Sequence, residues 1–205
     1  MEFSEAELLR QLGTGRSIDS VCRDFGLTRA QFDEVWAKAV KRRLSQQSGE
    51  YSAPVSRATH IYRDERGIPH IVADNDADLF FSYGYAMAAD RLFQLDYLRR
   101  KGSGRLAEIL GEPAVETDLV ARSIGLRHIA QARWESLPDE TRAVLTAFTA
   151  GINAHLEAAG DNVPLEFALL DYHPEPWCEV DSLTIEVEFQ WYLTGRFPVI
   201  AIPEL

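Results

Sequence analysis

A change of hydrophobic period at the polar stretch SQQSGEYSAPVS, Ser45 to Ser56, constrains this 205-residue chain more than any other feature. Before it stand three short helical runs. Ser4 and Glu7 have capping-box spacing ahead of Leu8, Leu9 and Leu12, and Gly13 ends the run. Ser17 opens a second run, with Ile18, Val21, Cys22 and Phe25 on one face and Gly26 at its end. Thr28 and Gln31 form another capping-box pair, opening a third run through Phe32, Val35, Trp36, Val40 and Leu44. Helix, tight turn, helix is the pattern of a helix-turn-helix. The expected organisation is a helical extension over residues 1–48, a linker over 49–56 and a main unit over 57–205.

Beyond the linker, THIYRD and IPHIVAD are β-rich runs around Asp64-Glu65-Arg66-Gly67, which predicts a hairpin with a four-residue loop. Pro69 near the start of the second strand marks either an edge strand or the point where the strand begins. The run LFFSYGYAMAADRLFQLDYLRRKGSGRLAEILG then reads as mostly helical. Leu79, Phe80, Tyr83, Ala86, Met87, Leu92, Leu95 and Leu98 give it broad apolar stripes. A break at Lys101-Gly102-Ser103-Gly104 precedes a shorter helix over Arg105–Leu110, closed by Gly111. Ser136 and Asp139 frame Pro138 at another helix start, continuing to Leu156 and stopping at Gly160. DYHPEPWC, residues 171–178, reads as a rigid turn, after which Asp181 is expected to cap a last helix.

The net charge of −11 is unevenly placed. Residues 1–50 balance eight basic against eight acidic side chains, so the acid excess lies in residues 51–205. A surface that acidic repels phosphate backbones and anionic membranes, so nucleic acid is not an expected partner of the main unit. Cys22 and Cys178 stand far apart, in no zinc-type spacing. No apolar run approaches the roughly 20 residues a membrane-spanning helix needs. The opening MEFSEAELLRQL lacks the basic-then-apolar order of a secretion signal, so the expected compartment is the cytoplasm, or the periplasm if a leader has been removed.

Four blocks, in order, carry a resemblance. RDERGIPHIVADNDADLFFSYGYAMAADRLFQLDYLRRKGSGRLAEILG, AFTAGINAHLEAAG, PLEFALLDYHPEPW and DSLTIEVEFQWYLTGRF resemble the small α chain of the penicillin acylase family, covering about residues 57–205. That resemblance implies an α+β, mainly helical chain: the outer helices and hairpin of a four-layer αββα N-terminal-nucleophile hydrolase sandwich, completed by a larger β chain. It implies hydrolysis of a linear amide to an acid and an amine. Penicillins, acyl-homoserine lactones and N-acyl amino acids, including N-acylated aromatic β-amino acids, are the substrate types. The nucleophile would be the N-terminal Ser, Thr or Cys of the β chain, freed by autoproteolysis, with its own α-amine as base. No catalytic residue is then expected in this chain, and no organic cofactor. Partners are the β chain, a small amide and further αβ copies.

Within that frame, Leu193, Arg196 and Phe197 are the expected substrate-binding residues. Leu193 and Phe197 share a helix face at i, i+4 and would wall an apolar pocket, with Arg196 gating it or binding a carboxylate. Subunit-interface packing is the alternative for the same stripe. Glu204 resembles the glutamate that helps bind a structural calcium between the two chains, with a solvated glutamate as its alternative. Asp90-Arg91 reads as a buried ion pair or hydrogen-bond hub, and His70 as a buried, satisfied histidine. A conventional Ser-His-Asp triad is the rival chemistry; five histidines are present, but no GxSxG elbow. Two further readings stay open: a DNA-binding regulator acting through residues 15–45, and a noncatalytic scaffold of acylase descent.

Overall fold

Two glycines let the two longest helices touch backbone to backbone. Helix α4 (Asp76–Ser103) crosses α8 (Asp139–Ala159). A Cβ on Gly84 would lie 2.0 Å from the Phe148 carbonyl oxygen, and one on Gly151 would lie 1.9 Å from that of Phe81. Each helix therefore supplies the gap that the other's backbone fills. Beside this crossing, Ala88, Leu92 and Leu95 of α4 meet Ile152 of α8, together with Phe167 and Trp177.

A computed structural model describes residues 4–44 and 48–194. It opens with α1 (Glu5–Gly13), α2 (Ile18–Phe25) and α3 (Arg29–Arg43), followed by β1 (His60–Arg63) and β2 (Pro69–Val72). After α4 come the short α5 (Ala107–Leu110), a 3-10 turn (Glu112–Ala114), α6 (Val115–Ile124), α7 (Leu126–Ser136), α8, α9 (Leu165–Leu169) and α10 (Glu179–Thr194). The chain is mainly helical with one two-stranded sheet, the α+β class expected from the sequence. No described helix is long and apolar enough to cross a membrane. Among the described residues, Cys22 and Cys178 are both free.

Local signals account for most of the element ends. Ser17 accepts from the Ser20 amide, and Gly26 (φ 65°) closes α2 in the left-handed region that glycine enters without strain. Thr28 and Gln31 form the reciprocal capping box at α3. Ser4 is different. Its side chain makes no capping bond; the adjacent Glu5 instead pairs with Arg42 and Arg43 at the far end of α3.

The hairpin departs from its predicted loop by one residue. Arg63 pairs with Pro69, so five residues, 64–68, make the turn. The Asp64 carboxylate explains the extra one, since it accepts from the Arg66 and Ile68 amides at 2.9 and 3.0 Å. Helices α6 and α7 have no counterpart in the sequence reading. Gly125 ends α6 and starts α7 with no side-chain cap, so no capping residue marks the join. Between them and α10 lies a second core of Ala121, Leu126, Ala130, Val180, Leu183 and Val187.

Replacing Gly151 with alanine should cost about 3 kcal/mol or more, since the methyl can be accommodated only by parting α4 from α8. Urea unfolding of Gly151→Ala against wild type measures this; an unchanged midpoint would show that the crossing is loose.

Candidate functional site

A buried polar centre forms at Asp96, 1% exposed, on the inner face of α4. It accepts from Arg99 Nε (2.8 Å) and Nη2 (2.6 Å), from Arg100 Nε (2.9 Å) and from the Tyr172 hydroxyl (2.8 Å). Arg99 continues the network, donating to the Pro176 and Glu175 carbonyls and to Asp181 Oδ2 at 3.1 Å. Its guanidinium lies 4.8 Å from the Trp177 ring centroid. Asp181 also accepts from Arg127 of α7 at 2.7 Å and from the Cys178 amide at 3.0 Å. The expected role of Asp181 as cap therefore needs correction. It sits two residues inside α10, reaching back as the acidic partner does in a capping box.

Depressed carboxyl pKa values follow from this bonding. Burial works to raise Asp181, but the Cys178 amide and the Arg127 and Arg99 guanidinium groups outweigh it and hold the acid below its ordinary range. Hydrogen bonds from Arg105 hold Glu175 at about 2. At the start of α4, the Ser56 hydroxyl and amide, then Asn75 and the Arg57 amide, hold Asp78 at about 2.

From this anchor α10 runs outward. Its buried face carries Leu183, Thr184 and Val187, and Thr184 fits against Gly102 of α4, where a Cβ would lie 2.7 Å from its methyl. Glu188, 6% exposed, closes that face with an ion pair to Lys101 at 2.5 Å. Beyond it the character changes. Phe189, Trp191, Tyr192 and Leu193 are 57, 38, 68 and 61% exposed. Lys101 lies 5.6 Å from the Tyr192 ring, beside a groove of about 490 Å³ between α6 and α10 that Val120, Leu126 and Trp191 also line. A second groove, of about 670 Å³, runs between the start of α4 and α8, lined by Phe81, Trp134, Ala143 and Ala147.

Of the expected site residues, Leu193 is placed at the exposed end of α10. Arg196, Phe197 and Glu204 lie outside the described residues. Among the described residues no group of three or more His, Cys, Asp or Glu is arranged to hold a metal. Any calcium bound through Glu204 would need its other oxygens from elsewhere.

Two expectations are overturned. Asp90 does not pair with Arg91. Its carboxylate takes two 2.9 Å bonds from Arg63 of β1, while Arg91 (φ −139°, ψ 21°) is the kink in α4. The fork of Arg63 thus pins the hairpin to that kink. His70 is exposed rather than buried, its imidazole 3.3 Å from Asp64. The alternating side chains of β2 place it on the outer face, with Pro69 and Ile71 turned inward. Burial instead depresses His155, whose Nδ1 has no partner and whose ring meets Tyr85 edge-on at 5.2 Å. None of the described histidines bonds a serine, threonine or cysteine side chain, so the triad reading gains no support.

What sequence reasoning missed is the Asp96–Arg99–Asp181 network. The signal was there in part: Asp96, Arg99 and Arg100 stand at i, i+3 and i+4 on a helix.

The architecture resembles that of a solved acylase. It aligns with a solved thermostable penicillin G acylase from Alcaligenes faecalis at a TM-score of 0.61 and 32% identity, over 69% of this chain and 74% of that one. The penicillin amidase family model matches residues 58–201, and the chain belongs to that family. A penicillin acylase 2 proenzyme from Pseudomonas sp. (strain SE83) is 41% identical over 149 residues, 72% of this chain and 19% of that protein. Penicillin G acylase from Escherichia coli is 34% identical over 62% of this chain and 16% of its own length. The acyl-homoserine lactone acylase QuiP of Pseudomonas aeruginosa is also 34% identical, over 61% of this chain and 15% of its own. The chain thus spans less than a fifth of the length of these curated relatives.

Two measurements test the network. Asp96→Asn removes the carboxylate shared by two buried guanidinium groups, leaving Arg99 to Asp181 and Arg100 to Glu108, and should cost about 3 kcal/mol in urea unfolding; a cost under about 1 kcal/mol would mean the network is dispensable. Because Asp78, Glu175 and Asp181 titrate lower when folded than the roughly 4 of free carboxyls, their stabilisation is complete above that value. It is lost as pH falls through the folded values, about 2 for Asp78 and Glu175. The urea midpoint should therefore drop between about pH 4 and pH 2, more shallowly in Glu175→Gln; a midpoint flat down to pH 2 would contradict the assignment.

Proposed function

We propose that this chain is the small, non-nucleophilic part of an acylase that hydrolyses a linear amide to an acid and an amine. A larger β chain would complete the four-layer αββα sandwich and supply an N-terminal Ser, Thr or Cys as nucleophile. Its terminal amine would take the nucleophile's proton, and its oxyanion donors would stabilise the tetrahedral intermediate. Residues 57–205 form the acylase part, 49–56 the linker and 1–48 the extension.

The observation that carries this reading is the exposed end of α10. Four of the five residues 189–193, Phe189, Trp191, Tyr192 and Leu193, are large apolar side chains facing solvent in a segment the family model covers to residue 201. Contiguous exposed apolar surface of that kind marks an interface or a ligand site. Family membership, with a proenzyme among the relatives, supports a larger partner. Leu193, with Arg196 and Phe197, would wall the acyl pocket, and Glu204 would give one oxygen to a calcium whose remaining ligands come from the β chain. The penicillin and acyl-homoserine lactone acylases among its relatives make those amides, with N-acyl amino acids, the substrate classes to try.

The DNA-binding reading for residues 15–45 is disfavoured by charge. Arg29 pairs with Asp33, Lys38 with Glu34, Arg16 with Asp24, and Arg42 and Arg43 with Glu5, so most of the cations a phosphate backbone would need are already engaged.

N-terminal sequencing and intact mass of the chain that co-purifies with this one test the proposal. A larger partner beginning with Ser, Thr or Cys is expected. A partner with an unreactive terminus would instead establish the scaffold reading. In the active pair, Leu193→Ala should lower kcat/KM for bulky acyl groups about tenfold, a pocket loss of about 1–3 kcal/mol, and spare small ones. An equal loss for both would move Leu193 from pocket to interface.

A further inference from the structure

The family model leaves α1, α2 and α3 outside its span of 58–201, and most of their basic side chains are paired with acids. Their packing gives them a different task. Leu8 and Leu9 of α1, Val21 of α2 and Phe32 of α3 are buried together, and Leu165, Ala168 and Leu169 of α9 complete the cluster. Helix α9 has only five residues, too few to hold its own shape. It is held between two cores.

From its other side Phe167, 1% exposed, enters the main core, edge-on to Phe93 at 5.4 Å and 5.0 Å from Tyr172. The Tyr172 amide donates to the Phe167 carbonyl at 3.1 Å, and its hydroxyl donates to Asp96 at 2.8 Å. The grip on α9 is close. Gly13, the last residue of α1, lies so near Leu169 that a Cβ would fall 1.6 Å from its carbonyl oxygen, and Arg10 reaches Asp171 at 3.5 Å.

We propose that residues 4–44 are a positioning element that clamps α9 and, through Phe167 and Tyr172, holds the Asp96–Arg99–Asp181 network from which α10 departs. A contiguous path of packed and hydrogen-bonded groups joins the two ends. The consequence for substrate, through the outer end of α10, rests on the acylase function proposed above; the clamp itself does not.

Gly13→Ala tests this in the full chain, co-expressed with its larger partner. Gly13 has ordinary helical backbone, so alanine there disturbs the α9 contact and not the local conformation. Hydrogen exchange read by mass spectrometry should show amides of residues 165–181 opening about tenfold faster, with α2 keeping its wild-type protection. With the best-cleaved member of a panel of N-acyl 4-nitroanilides, KM should rise about fivefold while kcat stays within about twofold. Acceleration confined to 165–169, with 172–181 at wild-type rates, overturns the clamp. Faster exchange across 172–181 with an unchanged KM overturns its link to the pocket. Faster exchange across 172–181 in the variant, together with a wild-type pair that cleaves no amide, sustains the clamp and removes the acylase reading. Should Gly13→Ala fail to fold, Leu169→Ala loosens the same contact from the α9 side and is read in the same way.

Discussion

A buried carboxylate with four donors, Asp96, sets the geometry on which the rest of the chain depends. A charge at 1% exposure is tolerable only when it is fully bonded. The groups that satisfy it come from α4 itself and from Tyr172 beyond α9, and Arg99 carries the network on to the 175–176 carbonyls and to α10. Networks like this one add little net stability compared with well-packed apolar residues. What they supply here is exclusivity, because few placements of α10 satisfy Asp96, Arg99 and Asp181 together. Apolar packing then follows: Thr184 seats against Gly102, and the Leu183–Val187 stripe closes on α6 and α7.

How much of this was legible in the sequence depends on how far apart the interacting residues lie. The caps at Ser17, Thr28 and Gly26 involve neighbours within three or four positions, and they appear where the sequence places them. The hairpin was legible for the same reason, although the Asp64 carboxylate lengthened its loop. Asp90 shows the limit. Its acidic character was correctly read as an anchor, but its partner was assigned to the adjacent Arg91 when Arg63, 27 positions away, has the bidentate geometry. Arg99 and Asp181 are 82 positions apart, beyond any local pattern. Gly84 and Gly151 look like weak points inside helices until α4 and α8 are seen to cross there. Of the candidate site, Leu193 alone falls among the described residues, at the exposed end of α10.

The apolar surface is distributed unevenly, in keeping with the proposed partner chain. Buried clusters lie along α4, α8 and the inner face of α10, whereas the last turns of α10 and the grooves beside α6 and α8 are open. A monomer with a finished surface would turn Trp191, Tyr192 and Leu193 inward or replace them with polar residues. The three-helix extension does the reverse for α9, covering Leu165 and Leu169 within this chain.

On the function proposed above, amide hydrolysis belongs to this chain and a larger partner together. Purifying this chain and its larger partner separately, then measuring release of free amine from N-acyl substrates by each alone and by the mixture, tests it most directly. The account calls for no turnover by this chain alone and turnover on mixing that saturates at one small chain per large chain. Hydrolysis by this chain alone, or a large chain equally active without it, would contradict the account.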